Sequence, residues 1–343
     1  MTEILDRTMK TRAAGASTRS GIPSTDEVLS ILGAYDFERV FPVDSRTEEK
    51  SREAGLHLWY LVRFDKNTDL KEAMERLSGL GEISKLQINP AIQRAYNPKK
   101  KPVPVSEAAL NRMRTRAAAD NGFKFNDALL LHQWGYINRG AYDFATEEAP
   151  AIIGSDVNCE EAWELCTGDP EIIVAVLDEG VMYTHEDLTA NMWVNEKEQV
   201  GSDQDNDGNG YKGDRYGYNF VKDNGNISWQ AAEDTGHGTH VAGTIAAVNG
   251  NNKGVCGIAG GDGTKKGVRI MSCQVFDGDG QVRMVNEARA IKYAADNGAV
   301  ILQCSWGYNS AYSNPMQGYI PGPATDEEWA KTYPWEKEAL AYF

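Results

Sequence analysis

The sequence predicts an α/β chain in which a parallel sheet covered by helices follows a smaller α+β unit, and three observations predict it. EIIVAVLD (171–178) is a nearly continuous apolar run of strand length, as expected of a strand buried on both faces. VRIMSCQVF, the helical stretch VNEARAIKYAADNG and AVILQCS then follow as strand, helix and strand, the order that a parallel pair with a helical crossover requires. Ahead of these, residues 25–96 alternate strand-like and helix-like patterns and read as a compact β-α-β-α-β unit.

The elements can be justified in order. The first two dozen residues are rich in Ser, Thr, Gly, Ala and Arg without apolar periodicity, and read as a flexible lead over 1–24. DEVLSILGAYDFERVFPV opens the small unit, RTEEKSREAG is a charged helix, and HLWYLVRF has the β-branched and aromatic content of a strand. DLKEAMERLSGLG places Leu70, Met74 and Leu77 at helical spacing with a stop at Gly79 or Gly81, and ISKLQINPAIQRAY is strand-like again. NPKKKPVPV (97–105), with three prolines and three consecutive lysines, favours solvated extended backbone; with a short helix from Ser106 to Ala119 it makes a linker over 97–122. A second unit spans 123–343, where Asn297-Gly298 ends the crossover helix.

Charge narrows the partners. The 343 residues carry a net charge of −15, which disfavours nucleic acid and anionic membrane surfaces. The charge is uneven, +3 over residues 1–120 and −18 over 121–343, and this suits docking of a basic segment on an acidic body. No apolar run reaches the ~18 residues of a membrane span, and the first residues lack the apolar centre of a secretory signal. The five cysteines (159, 166, 256, 273 and 304) form no close-set metal pattern and read mainly as buried free thiols, with a Cys159–Cys166 disulfide as the lesser alternative.

DTGHGTHVAGTIAA (234–247) sets His237 and His240 three apart where a glycine-rich loop gives way to a small-residue helix. A zinc helix of the H-E-x-x-H kind needs histidines four apart with a glutamate between them, and HGTH supplies neither feature. A second reading makes His237 a catalytic base at a helix start, open to a substrate backbone, and His240 a packing residue facing the core, and a purely structural histidine pair is the third. Upstream, Asp178 ends its apolar strand at the sheet edge, where a carboxylate can orient an imidazole and stabilise its protonated form.

With VAVLDEGV, GHGTHVAGTIAA, GVCGIAGG, RIMSCQVFDGDG and AVILQCSWG in that order, the chain resembles the subtilisin-like serine proteases, the subtilases, over 131–343. The resemblance implies a subtilisin-like catalytic domain with Asp178 as triad acid and His237 as general base. Ser305 and Gly307 would belong to a strand that binds substrate backbone, with Gly280 in the opposite one. It implies a ferredoxin-like prodomain over 25–96 acting as intramolecular inhibitor, polypeptide substrates, no catalytic cofactor and a secreted or cell-surface location. Two departures stand out. Where the family commonly has Ser or Thr after the acid, this sequence has Glu179, a second carboxylate that would disfavour the ionised form of Asp178 unless it points to solvent or meets a cation, and it is expected to point away. The family's Gly-Thr-Ser nucleophile pattern and oxyanion asparagine are absent, and Ser305 does not replace the nucleophile. The text stops inside an apparently amphipathic helix, so it reads as a C-terminally incomplete catalytic domain, inactive alone; a non-catalytic peptide-binding module is the alternative.

DQDNDGNGYKGD (203–214) spaces Asp203, Asp205, Asp207, Asn209 and Asp214 like a twelve-residue calcium loop, with Gly208 at the sharp turn and Asp in place of the usual final Glu. Structural calcium is expected there, an exposed acidic loop without metal being the other reading, and subtilases often bind stabilising calcium.

Overall fold

In the computed structural model the described residues are 4–5, 19–94, 106, 108, 122–140, 149–230, 234–277, 283–307 and 323–343. The expected linker of 97–105 and nearly all of the helix from Ser106 lie outside them, as does Gly280.

Strands β4 (Ile173–Glu179), β5 (Gly217–Asn219), β6 (Arg269–Phe276) and β7 (Ile301–Cys304) form one sheet in the order β5-β6-β4-β7, and every pair is parallel. Helices α4 (Cys159–Leu165), α5 (His237–Ala246), α6 (Met284–Asp296), α7 (Asp326–Thr332) and α8 (Pro334–Tyr342) complete this half. Strand β4 is buried at all its positions, and its period of two divides the core. Val174 and Val176 pack with Ala242 and Ala246 of α5, whereas Ile173, Ala175 and Leu177 pack with Ala288 and Ile291 of α6 and with Trp335 and Ala339 of α8. The same alternation puts the next even position, Asp178, on the side of α5. Strand β7 is an edge, and Val300 just before it and Ile301 at its start are half exposed.

The small unit contains α1 (Pro23–Ile31), β1 (Ala34–Arg39), α2 (Glu48–Glu53), β2 (Tyr60–Phe64) and α3 (Leu70–Ser78). β1 and β2 pair antiparallel, and Leu29, Phe37, Ala73 and Leu77 form a core beneath them. The side chain of Asp69 caps α3 by accepting from the amides of Lys71 and Glu72, and Gly79 closes it as expected.

The sequence reading differs at two places. An additional helix, α1, precedes the first strand, and the last predicted strand does not join the small sheet. Among its described residues, Gln93–Arg94 form a strand, β3, which pairs antiparallel with β8 (Trp306–Gly307) of the large unit. The cause lies just upstream. The Asn89 side chain and the Pro90 carbonyl accept from the first amides of α6, at Val285 (3.1 Å) and Met284 (3.0 Å), and so draw the segment away from β1 and β2.

The two units share a core. Val40, Phe41 and Leu56 are wholly buried in the cluster that contains Met271, Tyr293 and Trp335. Burying a side chain such as Phe41 stabilises by about 1.5–3 kcal/mol. Polar contacts join at the margin, Arg46 with Asp207 (3.2 Å), Arg289 with Glu38 (3.1 Å) and Lys85 with Glu338. Two of these pairs set a basic side chain of the small unit against an acid of the large one and the Arg289–Glu38 pair runs the other way, so apolar packing, rather than charge of one sign on each side, dominates the contact.

All five cysteines are free thiols, with Cys159, Cys256 and Cys273 buried. Among the described residues no helix is long and apolar enough to cross a membrane.

Candidate active site

The site forms where β4 ends and α5 begins. Gly236 precedes the helix with φ of 77°, a conformation open to glycine, and turns the chain so that His237 is the first helical residue. The buried stripe of α5 is Gly238, Ala242 and Ala246, spaced four apart, and it lies against the sheet. Small residues here are obligatory. A Cβ added at Gly238 would stand 2.1 Å from the backbone oxygen of Glu179, so only glycine lets the helix start come this close to β4.

That approach brings the His237 Nδ1 to 2.9 Å from both carboxylate oxygens of Asp178. The carboxylate is buried, whereas the imidazole keeps a quarter of its side chain exposed. Asp178 also accepts from the Glu179 amide at 2.7 Å, which fixes the orientation of the carboxyl group. An imidazole whose Nδ1 faces a carboxylate holds its proton on that nitrogen, so Nε2 is left as the proton acceptor. His240, expected to face the core, is instead exposed, because the buried stripe of α5 runs through Gly238 and Ala242 and position 240 falls off that face.

Glu179 does not reach solvent. It is buried, and its charge meets that of Arg94 at 3.0 Å. It also accepts from the Thr235 amide (2.9 Å), the Thr235 hydroxyl (3.1 Å) and the His237 amide (3.2 Å). A register irregularity between Asp178 and Glu179 turns the strand end so that both carboxylates serve the start of α5, one at the ring and one at the backbone. The Arg94 partner lies 85 positions away and no local pattern announces it.

Ser305 lies between β7 and β8, and its hydroxyl accepts from Gln303 at 3.2 Å. Trp306 donates its indole N–H to the Leu177 carbonyl at 2.8 Å, which ties β8 to the end of β4. Gly307 pairs with Gln93. Ser305 and Gly307 thus border the place where β3 runs, and Gly280 lies outside the described residues.

The acidic loop differs from its expected ligand set. Asp205 and Asp207 converge with Glu198, their carboxylate oxygens within 4.8 Å of one another. Asp203 is exposed and bonds Gln204 (2.9 Å), and Asp214 accepts from Asn209 (2.9 Å), Tyr293 (2.8 Å) and Asn195 (3.3 Å) as a buried anchor. Burial pushes the Asp214 carboxyl up to about 6, which suits an internal hydrogen-bond hub. Asn209 is occupied from both ends, since its oxygen accepts from the Tyr211 amide. Glu198 stands outside the spaced motif and so escapes a reading of the motif alone. Gly208 does adopt the expected left-handed turn.

The family model described as "Subtilase family" matches residues 169–337. "Subtilisin-like protease 1" of Plasmodium vivax is 33% identical over 215 residues, covering 61% of this chain and 30% of that protein. "Halolysin-like extracellular serine protease Nep" of Natrialba magadii is 33% identical over 151 residues, covering 44% and 23%. The crystal structure of fervidolysin from Fervidobacterium pennivorans, "a keratinolytic enzyme related to subtilisin", aligns at 21% identity and a TM-score of 0.39, covering 87% of this chain and 36% of that one. The chain thus spans under a third of the length of these curated relatives. With its parallel sheet between helices and its match to the family model, the region 169–337 of this chain belongs to the subtilase family.

Proposed function

We propose that the chain serves peptide-bond hydrolysis by a serine endopeptidase, with Asp178 and His237 as acid and base of its triad. The pair at 2.9 Å, where a central strand ends, is the observation that carries this reading. In it, His237 Nε2 takes the proton from a serine hydroxyl as the oxygen attacks the scissile carbonyl, then delivers that proton to the leaving amine. Asp178 holds the ring and stabilises the imidazolium between those steps. No Gly-Thr-Ser occurs in the 343 residues, so on this reading they do not form an acyl-enzyme by themselves. A serine-directed fluorophosphonate is expected to leave the 343-residue chain unlabelled, and to label a protein in which these residues are joined to a nucleophile-bearing subtilase segment. Labelling of the chain alone, or none of the joined protein, overturns the assignment.

The domain plan belongs to the same proposal: a lead over 1–24, a prodomain over 25–96, a linker over 97–122 and a catalytic domain over 123–343. The antiparallel pairing of β3 with β8 supports an inhibitory prodomain, since a strand held there excludes a substrate strand from the same edge. Ser305, Gly307 and Gly280 form the substrate-binding backbone in this scheme. Extracellular action is part of the reading, in keeping with the printed name of the Natrialba relative.

Calcium completes it. Glu198, Asp205 and Asp207 offer the hard oxygen donors that this ion takes, and the fit is in their convergence. Bound calcium would neutralise their mutual repulsion and fix the loop. Asp205→Ala is expected to abolish the rise in melting temperature that calcium gives the chain, roughly 5 °C for about 2 kcal/mol of binding stabilisation in a domain of this kind. An equal rise in both proteins would remove calcium from this loop.

A further inference from the structure

We propose that calcium at the Glu198, Asp205 and Asp207 cluster and the seating of the small unit's segment 42–46 are antagonistic, with Arg46 the residue that couples them. The inference rests on the reading that calcium binds this loop, and deepens it by naming what the ion regulates, the hold of the small unit at this corner.

The segment lies directly on the acidic loop. The Gly208 carbonyl accepts from the Ser45 amide and from the Ser45 hydroxyl, each at 3.2 Å. A Cβ added at Gly210 would stand 2.9 Å from the Pro42 Cβ and 3.1 Å from the Val43 carbonyl oxygen, so the two backbones touch on both sides of Asn209. Arg46 completes the seat. Its Nη1 donates to Asp207 Oδ2 at 3.2 Å and its Nη2 to the Asn297 side chain at 3.2 Å. Asp44, itself buried, steadies the guanidinium through Nε (3.0 Å) and Nη2 (2.7 Å).

The acidic cluster thus meets a cation already, and that cation belongs to the other unit. Glu198 accepts from the Gly213 amide (3.0 Å), and Asp205 from the amides of Gly208 (2.7 Å) and Gly210 (2.9 Å), partners that turn N–H dipoles toward the carboxylates without bringing a full charge. Asp207 Oδ2 accepts from Arg46 and from Asn195 (3.2 Å) together. Calcium takes bare oxygen lone pairs. An ion that draws on Asp207 competes with the guanidinium for that carboxylate, and its double charge repels the positive charge beside it. Burial sharpens the conflict, because the Asp207 side chain is 2% exposed and salt screens a charge so placed only weakly. Coupling between two binding events is reciprocal, so whatever calcium costs the Arg46 contact, docking of the segment costs calcium.

Amide exchange of the 343-residue chain, with and without calcium at constant ionic strength, reads both ends of the coupling. Calcium is expected to slow exchange at Gly208 and Gly210, whose amides donate to Asp205, and to quicken it at Ser45 roughly five-fold or more. Both effects should vanish in Asp205→Ala. By calorimetry, Arg46→Gln should bind calcium roughly five-fold or more tightly than the parent, and Arg46→Lys, which keeps the charge, should stay within about two-fold of it. Slowing at Gly208 and Gly210 with Ser45 unchanged or slowed overturns the inference and leaves calcium at the loop, as does equal affinity of the parent and a folded Arg46→Gln chain. No change at any of the three amides, or a change that persists in Asp205→Ala, overturns the calcium reading as well. Should Arg46→Gln fail to fold because Asp44 loses its partner, exchange at Ser45 in the parent chain decides alone.

Discussion

Asp178→Asn is expected to lower the turnover of a peptide substrate about 10⁴-fold in the protein that joins these residues to a nucleophile-bearing segment, the loss known for an amide at the acid of serine-protease triads. The geometry explains why so small a change costs so much. Both oxygens of Asp178 lie 2.9 Å from His237 Nδ1, and the Asp178 side chain is buried, so no water can take over the role. An asparagine presenting its NH₂ to that nitrogen requires the lone pair on Nδ1, which moves the ring proton to Nε2. The base is then blocked at the atom that must receive the serine proton. The substitution is nearly isosteric, and its carbonyl oxygen can still accept from the Glu179 amide. The melting temperature should therefore stay within a few degrees of the parent, and the loss should fall on kcat rather than KM. A variant with more than about a tenth of parental turnover would remove Asp178 from the triad.

Much of this site was legible because its signals are local. An apolar run that ends on an aspartate locates the end of a buried strand, and a glycine-flanked histidine ahead of VAGTIAA locates a helix start that can approach a sheet closely. What escaped depends on distant partners. Glu179 gave no sign of meeting Arg94, since nothing in RAYN distinguishes a solvated arginine from one buried against the sheet. The last strand of the small unit looked like a neighbour of β1 and β2 because strand propensity does not specify a partner. Asn89 and Pro90, bound at the start of α6, decide that question through contacts made almost 200 positions away. Glu198 was missed for a related reason. It converges with Asp205 and Asp207 from outside the spaced motif, while Asp214, at the motif's last position, is held inward by Tyr293.

Gly238→Ala is expected to separate His237 from Asp178, while Gly243→Ala five residues along the same helix leaves them together. The difference lies in what a methyl group meets. At Gly238 it would stand 2.1 Å from the Glu179 carbonyl oxygen, a backbone atom that cannot swing aside, whereas at Gly243 nothing lies within 4 Å. Relief at position 238 demands that the start of α5 withdraw by about 1 Å to restore ordinary contact, and a displacement of that size at reacting groups costs roughly 10²-fold in rate. The forced repacking should destabilise the chain by about 1–3 kcal/mol. Gly243→Ala should instead stabilise it by about 0.5–1 kcal/mol, because alanine loses less backbone freedom on entering a helix. Both effects are measurable in the 343-residue chain without catalysis, by thermal melting and by the proton resonance of the His237 Nδ1–H, which a 2.9 Å bond to carboxylate shifts far downfield. That resonance should persist in Gly243→Ala and vanish in Gly238→Ala. Were it to survive in both, the carboxylate–imidazole pair would not depend on contact between α5 and β4, and the close approach would have to be explained by the needs of the core alone.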